Sequence, residues 1–122
     1  MIRLVRIENR TFKNCVTLHH VILDPLCPMA IIGSRAFEKC GQLYSIDIPK
    51  AVYKIESNAF DGCSSLESLY IPFVKVIEND AFNACSSLVN LTLSNKVKNE
   101  NYTWEFFKGW IGIPPEFEIT VQ

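Results

Sequence analysis

The sequence predicts an α/β-type solenoid, a stack of similar coils whose strands join in a parallel sheet. The first observation is a recurring phrase: "TFKNCVTL", "AFEKCGQL", "AFDGCSSL" and "AFNACSSL" begin at residues 11, 36, 59 and 81. The second is the pattern L-x-x-L-x-L that follows each phrase, as in "LESLYI" at 66–71. Self-similarity at a period of about 20 to 50 residues is the signature of solenoids, propellers and other arrays.

The strand half of one coil lies in "LESLYIP". Side chains alternate along a strand, so Leu69 and Ile71 share one face while Tyr70 occupies the other. Pro72 stands where this strand should end, because proline donates no hydrogen bond to a ladder. The pattern L-x-x-L-x-L is also the strand signature of leucine-rich repeats.

The return half of the coil carries "SNAFDGC" at 57–63. Ser57 or Asn58 is suited to cap a short helical turn, on which Phe60 and Cys63 share a face. These side chains should point at the back of the strand. The predicted layer comprises Ile55, Ala59, Phe60, Cys63, Leu66, Leu69 and Ile71. One coil cannot cover such a layer alone, so its neighbours must stack upon it.

The unit AF-x-x-C-x-x-L-x-x-I-x-I-P, followed by V-x-x-I, resembles the BspA-like (Treponema-type) leucine-rich repeat. The resemblance covers residues 5–93, and the stretch from Ala36 to Phe82 matches almost slot for slot. It implies a right-handed leucine-rich-repeat coil stack with the parallel sheet on the concave face and the short helical turns on the convex side. It also implies a role in adhesion or protein binding, at the cell surface or outside the cell. It supplies no shared catalytic or ligand residue.

A chain of 122 residues is one domain in length, and 48% hydrophobic residues suffice for a core. We expect a single solenoid of about five coils, at 1–23, 24–48, 49–71, 72–93 and 94–122. The last coil is a degenerate copy that should act as a C-terminal cap. Its aromatic residues are expected to close the final layer, an aromatic ligand platform being the alternative: Trp104, Phe106, Phe107 and Trp110.

The segment "EFEITV", from Glu116, alternates as an outermost strand should. Phe117, Ile119 and Val121 are expected to face inward, with Glu118 and Thr120 outward. Charge on such a strand discourages further pairing.

The N-terminal end starts inside a repeat, because Leu4 and Ile7 fall in the slots of Val52 and Ile55. Either the chain is a fragment of a longer array, or another chain covers this end. An apolar layer and an unpaired strand edge favour association with another copy. We therefore expect a homo-oligomer formed through the N-terminal coil.

Composition and motifs exclude several function classes. A net charge of −1 gives no basic footprint for nucleic acid. No apolar run reaches the roughly 20 residues of a membrane-spanning helix, and "MIRLVRIENR" lacks the apolar core of a signal peptide. No Gly-rich phosphate loop, G-x-S-x-G motif or paired-carboxylate motif occurs. The sequence therefore indicates a protein that is not an enzyme and has no cofactor.

The cysteines follow the repeat, since four of them share one slot: Cys15, Cys40, Cys63 and Cys85. Ladder positions point the same way at roughly 4.8 Å spacing, a poor geometry for a disulfide. We expect buried, reduced thiols. The spacing of cysteines and histidines fits no zinc motif. Cys27, in the inserted loop "DPLCPM", is the best candidate for a reactive thiol, although a partly buried loop cysteine is the commoner case.

The outward strand positions form the candidate binding surface. One column comprises Ile22, Asp47, Tyr70, Thr92 and Thr120, and beside it runs a column of His20, Ser45, Ser68 and Asn90. Tyrosine is enriched at interface hot spots, although each position also suits an ordinary strand surface. The favoured function is a binding module for a protein ligand or a glycan. The alternative is a structural spacer or self-assembling element without a dedicated ligand.

Overall fold

The computed structural model describes residues 6–23, 26, 28–93 and 118–121. Within these residues the chain forms strands and turns only. The strands are β1 Arg6–Ile7, β2 His20–Ile22, β3 Ile31–Ile32, β4 Ser45–Asp47, β5 Lys54–Ile55, β6 Ser68–Ile71, β7 Val76–Ile77, β8 Asn90–Leu93 and β9 Glu118–Val121.

Each of the first four coils contributes two strands, one to each side of the stack. On one side β1, β3, β5 and β7 form a four-stranded sheet of two-residue strands. On the other side the strands of the L-x-x-L-x-L pattern form two ladders, β2-β4 and β6-β8-β9. All neighbouring strands are parallel. The predicted parallel-sheet solenoid is therefore confirmed, and the sheet of short strands is an addition to it.

The register follows the repeat slots. Ile7 pairs with Ile32, and Ile55 with Ile77, so the isoleucine before each recurring phrase occupies one column. This column forms the short-stranded sheet because a β-branched residue suits a pleated surface.

The predicted short helical turns are not confirmed, because the described residues contain no helix. Each recurring phrase instead forms turns, with one positive-φ residue at the position before its first residue and another before its cysteine. The first positions are Arg10, Arg35, Asn58 and Asp80, and the second are Asn14, Lys39, Gly62 and Ala84, all with φ between 58° and 80°. A left-handed residue cannot continue a right-handed helix, so the segment turns twice.

The turns are held by hydrogen bonds between coils. The Phe60 amide donates to the Ala81 carbonyl at 2.8 Å, and the Lys39 amide to the Asp61 carbonyl at 2.7 Å. Ser57 was predicted to cap a helix. Instead, its carbonyl accepts a hydrogen bond from the Ser34 hydroxyl of the preceding coil at 2.9 Å. Alternate amides of the turn segment are thus paired with the next coil, while those between them stay within the coil, as where the Asp61 amide donates to the Asn58 carbonyl at 3.1 Å.

The core fills the space between the two sides. All seven residues of the predicted layer are buried, none more than 3% exposed. The phenylalanines of the recurring phrase form a column in which successive rings stack nearly parallel: Phe12, Phe37, Phe60 and Phe82, with centroids 5.1, 5.3 and 5.4 Å apart. Rings at such distances attract one another beyond the effect of their burial.

The first coil is packed less completely than the others. Phe12 and Leu18 are half-buried, whereas their counterparts in the next coil, Phe37 and Leu43, are fully buried. Ile7 is buried, as its slot predicts, while Leu4 lies outside the described residues. Self-association through this coil stays a prediction.

The last described strand follows the predicted alternation. Glu118 and Thr120 are exposed, and Ile119 packs against the core. The predicted aromatic closure at 104–110, Phe117 and the side chain of Val121 lie outside the described residues.

Candidate binding surface

The strand face comprises the outward side chains of β2, β4, β6, β8 and β9. In its first column Ile22 is 72% exposed and Tyr70 59% exposed. Asp47 and Thr120 are also exposed, and Thr92 is half-buried. The alternation that predicted this column is therefore confirmed, and two large apolar or aromatic side chains stand in water.

The second column lies beside the first in the predicted register. His20 pairs with Ser45, and Ser68 pairs with Asn90. Asn90 in turn pairs with Glu118, which adds a carboxylate to the end of this column. His20, Ser68 and Asn90 are exposed and Ser45 is half-buried.

Sequence reasoning missed Tyr44. Its side chain is 55% exposed, and its ring lies against that of His20 with centroids 5.9 Å apart. The Tyr44 amide donates to the His19 carbonyl at 2.9 Å, which fixes its backbone beside β2. An aromatic residue directly after the first leucine of L-x-x-L-x-L was the available signal.

A groove opens where the two ladders of the strand face meet, between β4 and β6. Half-buried Leu23, Ile48 and Phe73 line it together with Pro49, and Asp47, Lys50 and Tyr70 complete the lining. The structure thus brings Asp47 and Tyr70 to one groove, although β4 and β6 do not join in one ladder. Phe73 and Lys50 were not predicted here, because the groove depends on the relative position of two ladders.

The cysteine column is buried and makes its own hydrogen bonds. Each of three thiols donates to the phenylalanine carbonyl of the preceding coil, Cys40 to Phe12 at 3.0 Å and Cys63 to Phe37 at 3.1 Å. Cys85 repeats the contact. Burial raises the pKa of all three thiols, because the thiolate would lose its hydration.

We expect these thiols to resist alkylation in the folded protein. The thiolate is the reactive species, and both its formation and access are suppressed at Cys40, Cys63 and Cys85. Mass spectrometry after a short pulse of iodoacetamide should find them unlabelled without denaturant and labelled in denaturant. Half-buried Cys15 serves as the internal comparison. Rapid native labelling of Cys63, or a Cys40–Cys63 disulfide, would contradict this packing. Cys27, predicted to be the most reactive, lies outside the described residues.

Among the described residues no group of three or more His, Cys, Asp or Glu side chains is arranged to hold a metal ion. That part of the chain also contains no helix long and apolar enough to cross a membrane. The strand face presents hydroxyl, amide, carboxylate and aromatic groups that the ladders hold in fixed positions.

A family model described as BspA type leucine-rich repeat region (6 copies) matches residues 3–109. The chain is 35% identical to the Treponema pallidum leucine-rich repeat protein over 77% of its length, with a TM-score of 0.72. A leucine-rich cell surface protein from Faecalibacterium prausnitzii matches 88% of the chain at 24% identity and a TM-score of 0.68. A leucine-rich repeat protein from Bacteroides ovatus matches 75% at 26% identity and a TM-score of 0.50.

The chain covers less than half of each of these structures: 44%, 32% and 31% of their lengths. Among curated proteins none matches the chain. The family model nevertheless spans most of the sequence and all of its recurring phrases. The chain therefore belongs to the BspA type of leucine-rich repeat proteins, a family that commonly mediates protein interactions and is generally not enzymatic.

Proposed function

We propose that the chain is a non-enzymatic protein-binding module of adhesion type, which presents the strand face, as the concave side of the solenoid, to a protein partner. The proposal rests on one observation: large apolar and aromatic side chains are exposed on the two strand ladders or directly beside them. These are Ile22, Tyr44 and Tyr70. Exposed apolar surface that is contiguous often marks an association site.

The ladder favours binding because it holds these groups in place. Tyrosine provides a large contact area while losing the freedom of few rotatable bonds. A side chain that is already ordered before association loses less entropy when the complex forms. Tyr44 is braced by the His20 ring, and Tyr70 stands on the paired strand β6.

A protein partner fits the surface better than a glycan. Ile22 is 72% exposed in the first column, and the neighbouring groove has Leu23, Ile48 and Phe73 in its lining. Aliphatic surface of this kind is matched by apolar side chains, as in the central part of protein interfaces.

A location at the cell surface is part of the proposal. It is supported by the similarity of the chain to a leucine-rich cell surface protein from Faecalibacterium prausnitzii. In such a setting the strand face would meet a protein of another cell or of the surrounding matrix.

The test is a double substitution on the strand face with a matched tyrosine control. The chain is immobilised, a bound protein is identified from extracellular and cell-surface fractions, and its affinity is then measured with purified components. We expect Tyr44→Ala with Tyr70→Ala to weaken binding about 30-fold, corresponding to a hot-spot loss of about 2 kcal/mol. Tyr53→Ala, at an exposed tyrosine beside β5, is the control and should leave the affinity unchanged.

Three results would contradict the proposal. Equal weakening by Tyr53→Ala would show that the strand face is not the contact. Binding to a glycan array with the same dependence on Tyr44 and Tyr70 would change the partner class. An absence of any partner would favour the structural spacer.

A further inference from the structure

The turn face is the side of the solenoid formed by segments 8–14, 33–40, 56–63 and 78–85, and its two ends carry opposite charge. Its basic half, 8–14 and 33–40, contains four cations and two carboxylates: Arg10, Lys13, Arg35 and Lys39, with Glu8 and Glu38. Its acidic half, 56–63 and 78–85, contains four carboxylates and no cation: Glu56, Asp61, Glu78 and Asp80. The net charge of the turn face therefore changes from positive to negative along the stack axis.

Part of this charge is already neutralised within the chain. Buried Glu38 pairs with Arg35 at 2.9 Å and with Lys13 at 3.9 Å. Next to the acidic half, Lys54 lies 3.7 Å from Glu56 and 3.9 Å from Glu78.

Four of the remaining charges are accessible: three side chains are exposed, and Asp61 is half-buried. Arg10 and Lys39 are exposed and form no ion pair with another described residue, and the same holds for Asp80. Asp61 accepts a hydrogen bond from the Asn58 amide at 2.9 Å, which leaves its charge uncompensated. Two cations at one end and two carboxylates at the other are thus available to a partner.

The backbone fixes the spacing of these side chains. Arg10 donates its amide hydrogen to the Ser34 carbonyl at 3.0 Å, and Arg35 donates to Ser57 at 3.1 Å. Neighbouring coils in such ladders are about 4.8 Å apart. Charges that stand on a fixed grid match only a surface with the same spacing.

The two halves also differ in side-chain size. The row of positive-φ residues before each cysteine runs Asn14, Lys39, Gly62 and Ala84. In this row the basic half thus carries an asparagine and a lysine, and the acidic half carries a hydrogen and a methyl group. When one turn face is laid antiparallel on another, Lys39 and Asn14 of each lie over Gly62 and Ala84 of the other.

We propose that two copies of this chain associate through their turn faces in antiparallel orientation. Arg10 and Lys39 of one protomer then face Asp80 and Asp61 of its partner, and the two-fold axis repeats the contact in reverse. This is an isologous interface, the commonest kind in homodimers. A second copy is the occupant favoured by the structure because it repeats both the coil spacing and, when reversed, the complementary order of charge.

Exposed ion pairs are individually weak and are screened by salt. We therefore expect a dimer at low ionic strength that dissociates as salt is added. Sedimentation velocity on the full chain should show the dimer at an ionic strength of about 10 mM, where the Debye length is about 30 Å. At about 1 M, where it is about 3 Å, the dissociation constant should be at least about tenfold higher.

Charge reversal provides the specific test. Arg10→Glu with Lys39→Glu makes all four proposed contact positions negative, and Asp61→Lys with Asp80→Lys makes all four positive. Each variant alone should lose the salt-sensitive turn-face dimer at low salt, and an equimolar mixture should form a heterodimer. Because Asp61 bonds to Asn58, Asp80→Lys alone is a second variant, and circular dichroism verifies that each is folded.

A wild-type chain that stays monomeric at low salt would overturn the proposal, as would a mixture of folded variants that does not associate. Association that strengthens with salt would assign the contact to an apolar surface, such as the N-terminal coil. The Tyr44→Ala, Tyr70→Ala variant should dimerise like the wild type, since the strand face takes no part.

Discussion

Replacing Phe60 by alanine is expected to lower the free energy of unfolding by about 3–5 kcal/mol. The ring is fully buried, and it lies between those of Phe37 and Phe82 at centroid distances of 5.3 and 5.4 Å. Truncation removes the buried apolar surface and leaves a cavity in the middle of the column, where coils on both sides are hydrogen-bonded and cannot collapse freely. A loss of this size is a large part of the roughly 5–15 kcal/mol that a domain possesses.

Denaturant unfolding followed by circular dichroism measures this effect. Tyr70→Ala is the control, because it truncates an aromatic side chain of similar size in the same coil that is 59% exposed. The control should shift the midpoint far less. Equal shifts for the two variants would mean that the inward and outward faces of the coil are assigned incorrectly.

Replacing Gly33 by alanine is expected to cost about 1–3 kcal/mol, the usual range for overpacking. A methyl group at this position would collide with the Ile7 carbonyl oxygen and lie 2.9 Å from the Asn9 amide nitrogen. The Ile7 oxygen and the Asn9 nitrogen are both backbone atoms of the first coil, so a side-chain rotation cannot move them aside. The same coil is held by the Gly33 amide, which donates to the Ile7 carbonyl at 2.8 Å. We therefore expect the substitution to weaken the packing and hydrogen bonding of the first coil against the second.

Gly41→Ala is the matched control, since its methyl group would meet only the Ser64 hydroxyl oxygen at 3.6 Å, an ordinary contact. Thermal unfolding of the two variants should show a clear loss for Gly33→Ala and little change for Gly41→Ala. Hydrogen exchange should place the loss at residues 6–12. A Gly33→Ala protein as stable as the wild type would show that the first two coils separate more easily than their hydrogen bonds suggest.

The repeat predicted the core because spacing alone decides which side chains meet. Phe60, Cys63, Leu66 and Leu69 recur at fixed offsets, and residues at equal offsets must stack. The strand face was predictable for the same reason, since the alternation around Tyr70 assigns its face once the strand is recognised.

The turns were not predictable from local pattern. Phe60 and Cys63, three positions apart, fit one face of a helix, and both are indeed buried. A helix does not form because Asn58 and Gly62 adopt positive φ, and the Phe60 and Gly62 amides donate to carbonyls of the following coil. Those bonds join residues far apart in sequence. A stretch of about ten residues therefore shows the spacing typical of a helix, but it does not show the hydrogen bonds between coils that prevent the helix from forming.

The short-stranded sheet and the groove were missed for geometrical reasons. A two-residue strand such as Lys54–Ile55 is too short to show alternation. The groove at Asp47 and Phe73 exists because β4 and β6 belong to different ladders. No position of the repeat pattern predicts this boundary between the two ladders.

The ladders between coils also determine the order in which the coils can fold while the chain is synthesised on the ribosome. Strand partners are separated by 22 residues where Lys54 meets Val76 and by 28 where Asn90 meets Glu118. Closing a loop of this length costs nearly the same entropy at every step, and a repeat array folds by adding units to units already in place. Each coil that leaves the exit tunnel can therefore dock at once on the coil made just before it, so that native pairing keeps pace with translation.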